Sequence, residues 1–231
     1  MMSRPLPISL VQRLRVFRDT AMAAMLLRIG VAALFLALLP VAAQAPIPAP
    51  DLASGRLLVA SRGLGDPNFA ETVVLLVQYN NFGAMGLVLN RRTDVPISRV
   101  FAELPEAKDR PDPVFEGGPV ERGGLRALYW SKTKIKGLVP VVRDVYLLSD
   151  VKLLRQILSK ERGEESLRVF AGYAGWGPKQ LEREVEMGAW HIFRGDAATV
   201  FDSDPASLWN RMIERTAVRI ARTPVLREDP R

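Results

Sequence analysis

The chain has 231 residues, 48% of them apolar and 25% charged, which suits one folded domain with appendages. It contains no cysteine, so disulfides, thiolate catalysis and cysteine-ligated metals are excluded. Most of the net charge of +7 lies near the two ends of the chain, and the central part is close to neutral. That distribution gives no strong signal for nucleic-acid binding.

The N-terminal segment has the pattern of a targeting sequence. Basic residues 4–18 precede an apolar stretch whose uninterrupted core, residues 29–39, is short for a membrane span and typical of a signal peptide. Small residues around Ala43 match a cleavage site, and we favour cleavage after Ala43. We predict that residues 1–45 are a signal peptide or membrane anchor and that the protein is periplasmic or membrane-tethered. A wrongly assigned start codon and a cytoplasmic protein are the alternatives.

The remainder of the chain divides into three predicted parts. Residues 46–51 read as a stiff proline-rich linker. Residues 52–216 are expected to form a single domain, and residues 217–231 a basic, flexible tail.

Hydrophobic patterning predicts the elements of the domain in chain order. Strands are expected at residues 56–60, 72–79, 85–90, 114–116, 125–130, 145–148, 167–173 and 189–193. Helices are expected to begin at Asp94 and Pro96, at Ser149, at Lys179, and at Asp204 and Pro205, the last ending near Arg215. Because hairpin strands precede a mixed run of strands and helices, the predicted fold class is α+β with a mixed, strongly bent sheet.

Three stretches of the domain share one family's pattern. They are Gly63-Leu64-Gly65-Asp66-Pro67-Asn68-Phe69 with the strand that follows; Gly83-Ala84-Met85-Gly86-Leu87-Val88-Leu89-Asn90-Arg91 with Gly117-Gly118-Pro119-Val120; and Gly172-Tyr173-Ala174-Gly175-Trp176-Gly177 with Gln180-Leu181-Glu182, Glu184 and Trp190. In order and spacing they resemble the YqgE/AlgH family of bacterial proteins. The resemblance implies a single α+β domain whose bent sheet approaches a barrel, flanked by helices. It implies a regulatory role and no settled enzymatic activity.

The candidate binding site is a cluster of glycines, Gly172, Gly175 and Gly177, where the strand predicted at residues 167–173 gives way to the helix predicted from Lys179. A helix N-terminus beside glycines is a ready anion site, although the spacing here is G-x-x-G-x-G and matches neither the dinucleotide fingerprint nor the P-loop. The other interpretation is that the glycines allow close packing of the turn. The candidate ligand-binding residues are Gly172, Gly175, Trp176, Gly177, Lys179 and Glu184.

The helix after this turn is expected to place Leu181 and Val185 on the sheet, with Glu184 on another side. On that reasoning Glu184→Ala would impair function and leave melting nearly unchanged, whereas Gly175→Val would damage folding.

No residue set reaches the specificity of a catalytic or metal motif. His191 is the only histidine, there is no G-x-S-x-G, and the carboxylates Glu182 and Glu186 suit a solvated helix face. We therefore predict no cofactor, no metal and no catalytic residue, and favour a non-enzymatic protein.

The leading functional hypothesis is a binding or regulatory protein of the cell envelope. Its partner would be an unidentified protein or small molecule, and only the N-terminal segment would touch a membrane. One alternative is a nucleotide- or anion-binding protein or enzyme that uses residues 172–179. The other is a cytosolic, transcription-linked regulator.

Overall fold

The computed structural model describes residues 52–136, 138, 140–148, 150–159 and 166–221. Four predicted features lie wholly or partly outside the described residues: the signal peptide, the linker, the helix cap Ser149, and the tail from residue 222 onward. Ten strands and five helices are described, with one 3₁₀ turn at Pro105–Ala107. The strands are β1 Arg56–Ala60, β2 Val73–Asn80, β3 Gly83–Val88, β4 Arg92–Pro96, β5 Pro113–Glu116, β6 Val120–Trp130, β7 Pro140–Val142, β8 Val145–Leu148, β9 Ser166–Trp176 and β10 Trp190–Arg194. The helices are α1 Ile97–Val100, α2 Val151–Leu158, α3 Gln180–Glu186, α4 Ala197–Val200 and α5 Pro205–Ala221.

The described strands form one sheet in the order β10-β1-β2-β3-β9-β6-β8-β7, with β4 and β5 attached as a branch. The pairings are antiparallel except that of β5 with β9, which is parallel. The sheet curls until its two ends approach each other. A Cβ built on Gly55, just before β1, would lie 2.4 Å from the carbonyl oxygen of Val141 in β7. The predicted α+β domain with a strongly bent, mixed sheet is confirmed.

β9 is the centre of this sheet. One of its edges pairs with β6, and the other pairs with two strands in succession. Its first half pairs with β5, as in Val114↔Val169, and its last residues pair with β3, as in Ala84↔Trp176. The change of partner falls at Gly172, and β6 bulges opposite it between Val120 and Leu125.

Two groups of buried side chains form the core. The larger lies between β1, β2, β3 and the last helix, where Trp209 of α5 donates its buried indole N–H to the Ala60 carbonyl at 2.8 Å. The smaller lies under α1 and α2 and includes Ile97, Phe101 and Leu104. No described helix is long and apolar enough to cross a bilayer.

The helix predicted to begin at Asp94 and Pro96 begins later and is shorter than expected. Residues Arg92–Pro96 are strand β4, and helix α1 has only four residues, Ile97–Val100. Helix α1 ends at Phe101, which leaves the helical conformation. A helix could not have continued past residue 103 in any case, because Leu104 precedes Pro105 and adopts the extended backbone that proline favours in the residue before it. The apolar residues Ile97, Phe101 and Leu104 are buried as their spacing predicts, but they do not all belong to one helix.

Other predicted boundaries also differ. Strand β6 begins at Val120 instead of residue 125, and strand β7 is not among the predicted strands. Helix α2 is capped by Asp150, whose side chain accepts the Leu153 N–H at 2.9 Å, where Ser149 was predicted. Strand β9 continues through the glycines to Trp176, so Gly175 lies within a strand. Helix α5 reaches Ala221 and so passes its predicted end near Arg215.

Candidate functional site

Gly172 lies where two backbone segments cross. It has φ +73°, and a Cβ there would lie 2.4 Å from the carbonyl oxygen of Gly118 and 2.9 Å from that of Val120. Gly117 and Gly118 carry the chain across β9 after β5 ends, and each would likewise meet backbone atoms if it had a side chain. Since any other residue would force the two segments apart, these glycines serve chain packing.

The other predicted site residues near the turn lie around the start of helix α3. Helix α3 begins at Gln180, with Lys179 as its N-cap in the left-handed conformation at φ 60°. The Gly177 N–H donates to Gln180 Oε1 at 3.0 Å, and Lys179 Nζ lies 3.8 Å from Glu182 Oε1. These two donors therefore have partners among the protein's own side chains, although the Lys179 side chain is 79% exposed. Pro178 precedes this N-cap and so lies outside the helix.

Glu184 holds two tryptophans together. Its Oε2 accepts the indole N–H of Trp176 at 2.9 Å and that of Trp190 at 2.8 Å, and its Oε1 accepts from Gln180 Nε2 at 2.9 Å. The two indole rings meet edge to face at 6.0 Å, and Phe69 packs on both at 5.9 and 5.7 Å. We call this group the Glu184 clasp.

The Glu184 clasp explains why a carboxylate faces the sheet. Both tryptophans are buried, and their hydrogen bonds to Glu184 are partly buried. Buried N–H donors need an acceptor, because leaving one unpaired costs about 1–3 kcal/mol. Glu184 therefore lies on a sheet-facing side of α3, contrary to the sequence-based expectation. The clasp ties α3 to β9 and β10. Of the predicted site residues, the structure joins Trp176 and Glu184. Gly172 lies apart from them at the backbone crossing, and Lys179 is the exposed N-cap residue of α3.

A cavity of about 350 Å³ lies at the opposite end of β9. It is bordered by β4, β5, the first residues of β9 and the segment that joins α4 to α5, and we call it the Arg168 cleft. Its lining residues are Arg92, Arg110, Asp112, Pro113, Phe115, Ser166, Leu167, Arg168, Phe201, Asp202, Ser203 and Pro205. None of the six residues predicted from the sequence is among them.

Arg168 is the largely buried cation of this cleft. Its guanidinium carbon lies 4.5 Å from the ring centre of Phe115 and 5.8 Å from that of Phe201. Nη1 donates to the Leu89 carbonyl at 3.5 Å and Nη2 to the Asp202 carbonyl. Burial lowers the pKa of Arg168 to about 10, an effect that the nearby Asp202 opposes and the nearby Arg92 reinforces. The group remains protonated at neutral pH.

Asp202 does not form a salt bridge with Arg168. Its Oδ1 accepts from Arg211 Nη2 at 2.7 Å and from the Asp204 N–H at 2.8 Å. The hydrogen bond from Arg211 holds the pKa of Asp202 below its ordinary value. The carboxylate thus fixes the start of α5, and its backbone carbonyl, rather than its charge, contacts Arg168.

The other two arginines enter the cleft from separate elements. Arg92 is the register partner of Phe115 in the β4–β5 pair, so the two side chains lie on one face. Arg110 donates through Nη2 to the carbonyls of Ile157 and Leu158 at 3.3 and 3.0 Å and so covers the end of α2. In the sequence, one signal pointed here: Arg168 is a charged residue inside a predicted apolar strand.

Comparison with known proteins identifies the family. A family model described as AlgH-like matches residues 57–221. UPF0301 proteins of Streptomyces avermitilis and Streptomyces coelicolor are 37% and 35% identical to this chain, and each match covers 77% of this chain and 93% of the relative. The solution structure of the AlgH protein from Pseudomonas aeruginosa is 27% identical with a TM-score of 0.57, covering 79% of this chain and 97% of that one. The crystal structure of protein DIP2367 from Corynebacterium diphtheriae shares the fold at 22% identity, with a TM-score of 0.61 and coverage of 73% and 90%. The chain belongs to the AlgH-like family, as its three motifs predicted.

Proposed function

We propose that the domain is a non-enzymatic binding protein whose small-molecule ligand occupies the Arg168 cleft. The observation that carries this proposal is the Arg168 guanidinium, which is largely buried at the wall of a cavity of about 350 Å³ and donates only to two carbonyls among the described residues. Ligand sites are typically concave, with a few oriented polar groups among apolar walls. Phe115 and Phe201 supply such walls here.

The lining chemistry favours binding over catalysis. Ser166 and Ser203 supply hydroxyls, but the described lining contains no histidine to act as a base beside them. The chain's one histidine, His191, lies on β10 opposite Val59, and burial lowers its pKa. A protein that binds a ligand without transforming it suits the regulatory role that we propose on the basis of the family resemblance.

A thermal-shift screen of the purified full chain tests the binding site. The screen uses neutral, cationic and anionic small molecules, on the wild type, on Ser203→Trp and on Asn81→Trp. Ser203 belongs to the cleft lining, and we expect a tryptophan there to obstruct the cavity. Asn81 lies apart from the cleft, in the exposed β2–β3 hairpin. We expect at least one compound to raise the Tm by several kelvin, an effect lost in Ser203→Trp and kept in Asn81→Trp. A screen without hits, or hits that persist in Ser203→Trp, would refute the proposal.

Export or membrane tethering is a separate proposal about residues 1–45. It is supported by the basic segment, the short apolar core and the small residues around Ala43. Cell fractionation of a C-terminally tagged copy, with sequencing of the mature N-terminus, tests it. A mature chain that begins at Gln44 supports secretion, and an intact chain in the soluble cytoplasm rejects both export and tethering.

A further inference from the structure

We propose that the ligand of the Arg168 cleft is a phosphate-type oxyanion, bound by Arg92 and Arg168 together. This inference rests on the proposed function, because it names the ligand chemistry of the same cavity. Free phosphate and a phosphate monoester share this chemistry and differ in what else fills the cleft.

Arg168 forms no salt bridge with a carboxylate in the described part of the chain. Its two hydrogen-bond partners are backbone carbonyls. The carboxylate of Asp202, whose charge favours the protonated Arg168, is itself hydrogen-bonded to Arg211 at 2.7 Å. A guanidinium carries five N–H donors in a planar fork, so Arg168 keeps donors available for a ligand. Contact with the rings of Phe115 and Phe201 fixes the plane of that fork.

Arg92 adds a second positive charge within electrostatic reach. It lowers the pKa of Arg168, which means that each cation disfavours the other. Its register pairing with Phe115 places it beside the same ring on which Arg168 stacks. An anion between the two guanidinium groups would relieve this repulsion, whereas a metal ion would increase it.

The cleft as a whole has a positive excess. Three arginines and two aspartates line it, so the formal charge of the lining is +1. Guanidinium groups match phosphate oxygens through paired N–H donors, and two of them suit a dianion better than a single carboxylate. The volume of about 350 Å³ exceeds what inorganic phosphate fills, which leaves room for an organic group against Phe201.

Titration calorimetry of the full chain with four probes tests the inference. The probes are inorganic phosphate, phenyl phosphate, benzoate and benzyl alcohol, which vary charge and ring separately. Arg168→Met and Arg92→Ala remove the proposed contacts. Arg183→Ala is the matched control, because Arg183 is an exposed arginine on α3 without an ion pair in the described residues.

We expect phenyl phosphate to bind the wild type, with Kd raised at least tenfold in Arg168→Met and several-fold in Arg92→Ala, and unchanged in Arg183→Ala. Tighter binding of phenyl phosphate than of inorganic phosphate supports a monoester ligand, and equal affinities support free phosphate. If Arg168→Met does not fold, Arg168→Lys, which keeps the charge and loses the fork, carries the same test together with Arg92→Ala.

Three results would overturn the inference. They are an absence of binding by both phosphate probes, an equal affinity for benzyl alcohol and phenyl phosphate, and an equal loss in Arg183→Ala and Arg168→Met. If compounds without an anionic group bind and are blocked by Ser203→Trp, the cleft remains a ligand site and only its phosphate chemistry is rejected. If the screen yields no ligand, the proposed function fails with it.

Discussion

The two ends of β9 differ in how far the protein satisfies its own polar groups. At one end, the carboxylate of Glu184 accepts two indole N–H groups and an amide N–H. At the other end, the guanidinium of Arg168 donates to two carbonyls and retains further donors next to a cavity. A fully satisfied buried network stabilises one conformation, whereas unused donors beside a cavity are what a ligand can engage.

This contrast assigns different roles to residues that look alike in the sequence. The glycine-rich motif around Gly172 is prominent because the backbone crossing tolerates no side chain. Arg168 belongs to no motif, yet it has guanidinium N–H donors left over beside the cavity. A conspicuous sequence motif can therefore mark residues that the fold requires as readily as residues that bind a ligand.

The largest expected effect is at the backbone crossing. Gly172→Ala places a Cβ 2.4 Å from the Gly118 carbonyl oxygen and strains a residue with φ +73°, so we expect a loss of about 3 kcal/mol or more, or failure to fold. Gly177→Ala is the control, because the nearest atom to its Cβ lies 3.8 Å away. Urea unfolding followed by circular dichroism measures both. Equal stability of the two variants would mean that the crossing is not tight.

The Glu184 clasp should show the next largest effect. Glu184→Ala leaves the indoles of Trp176 and Trp190 without their acceptor, and we expect a loss of about 2–3 kcal/mol with a change in tryptophan fluorescence. This reverses the expectation from the sequence that melting would hardly change. Glu186→Ala, an exposed carboxylate on the same helix, should stay within about 0.5 kcal/mol of the wild type. If the two variants melted at the same temperature, the Glu184 clasp would not contribute to the stability of the fold.

Arg168 should behave in the opposite way to Glu184. Since Arg168 brings a largely buried charge without a bound carboxylate, Arg168→Met in phosphate-free buffer should change the free energy of unfolding by no more than about 1 kcal/mol, in either direction. The same unfolding assay, with Arg183→Met as control, measures this. A loss as large as that of Glu184→Ala would place Arg168 among the scaffold residues.

The smallest effect concerns pH and the Asp202–Arg211 pair. The pKa of Asp202 is lowered in the folded protein, so its contribution to stability is present above its ordinary value of 3.8 and is lost as the pH falls through the folded value. With Arg211 half exposed, we expect Asp202→Asn to cost about 1 kcal/mol or less at pH 7. Thermal melts from pH 7 to pH 2.5 should show the two proteins converging below about pH 4. A constant difference over that range would show that the Asp202 charge is not the cause.

Local sequence patterns predicted most of the fold and little of the cleft. The β-branched run of β2 and the apolar run of β9 define strands by composition alone. The sequence predicts a turn at Gly175, which lies within β9, because pairing with a distant strand cannot be read from neighbouring residues. The cleft joins Arg92, Phe115 and Arg168 from three separate strands, so no spacing within one segment encodes it.

The position of β9 in the sheet has a consequence for the order of folding. The first strand, β1, has β10 as one partner, and β3 and β6 each depend on β9, so most of the chain must be synthesised before the sheet can close. Contacts between residues so far apart along the chain slow folding and leave strand edges exposed until the last pairings form. A ribosome-bound chain that lacks β9 and β10 would thus have β1, β3 and β6 with open edges, and this is the stage at which a chaperone would be of most use to it.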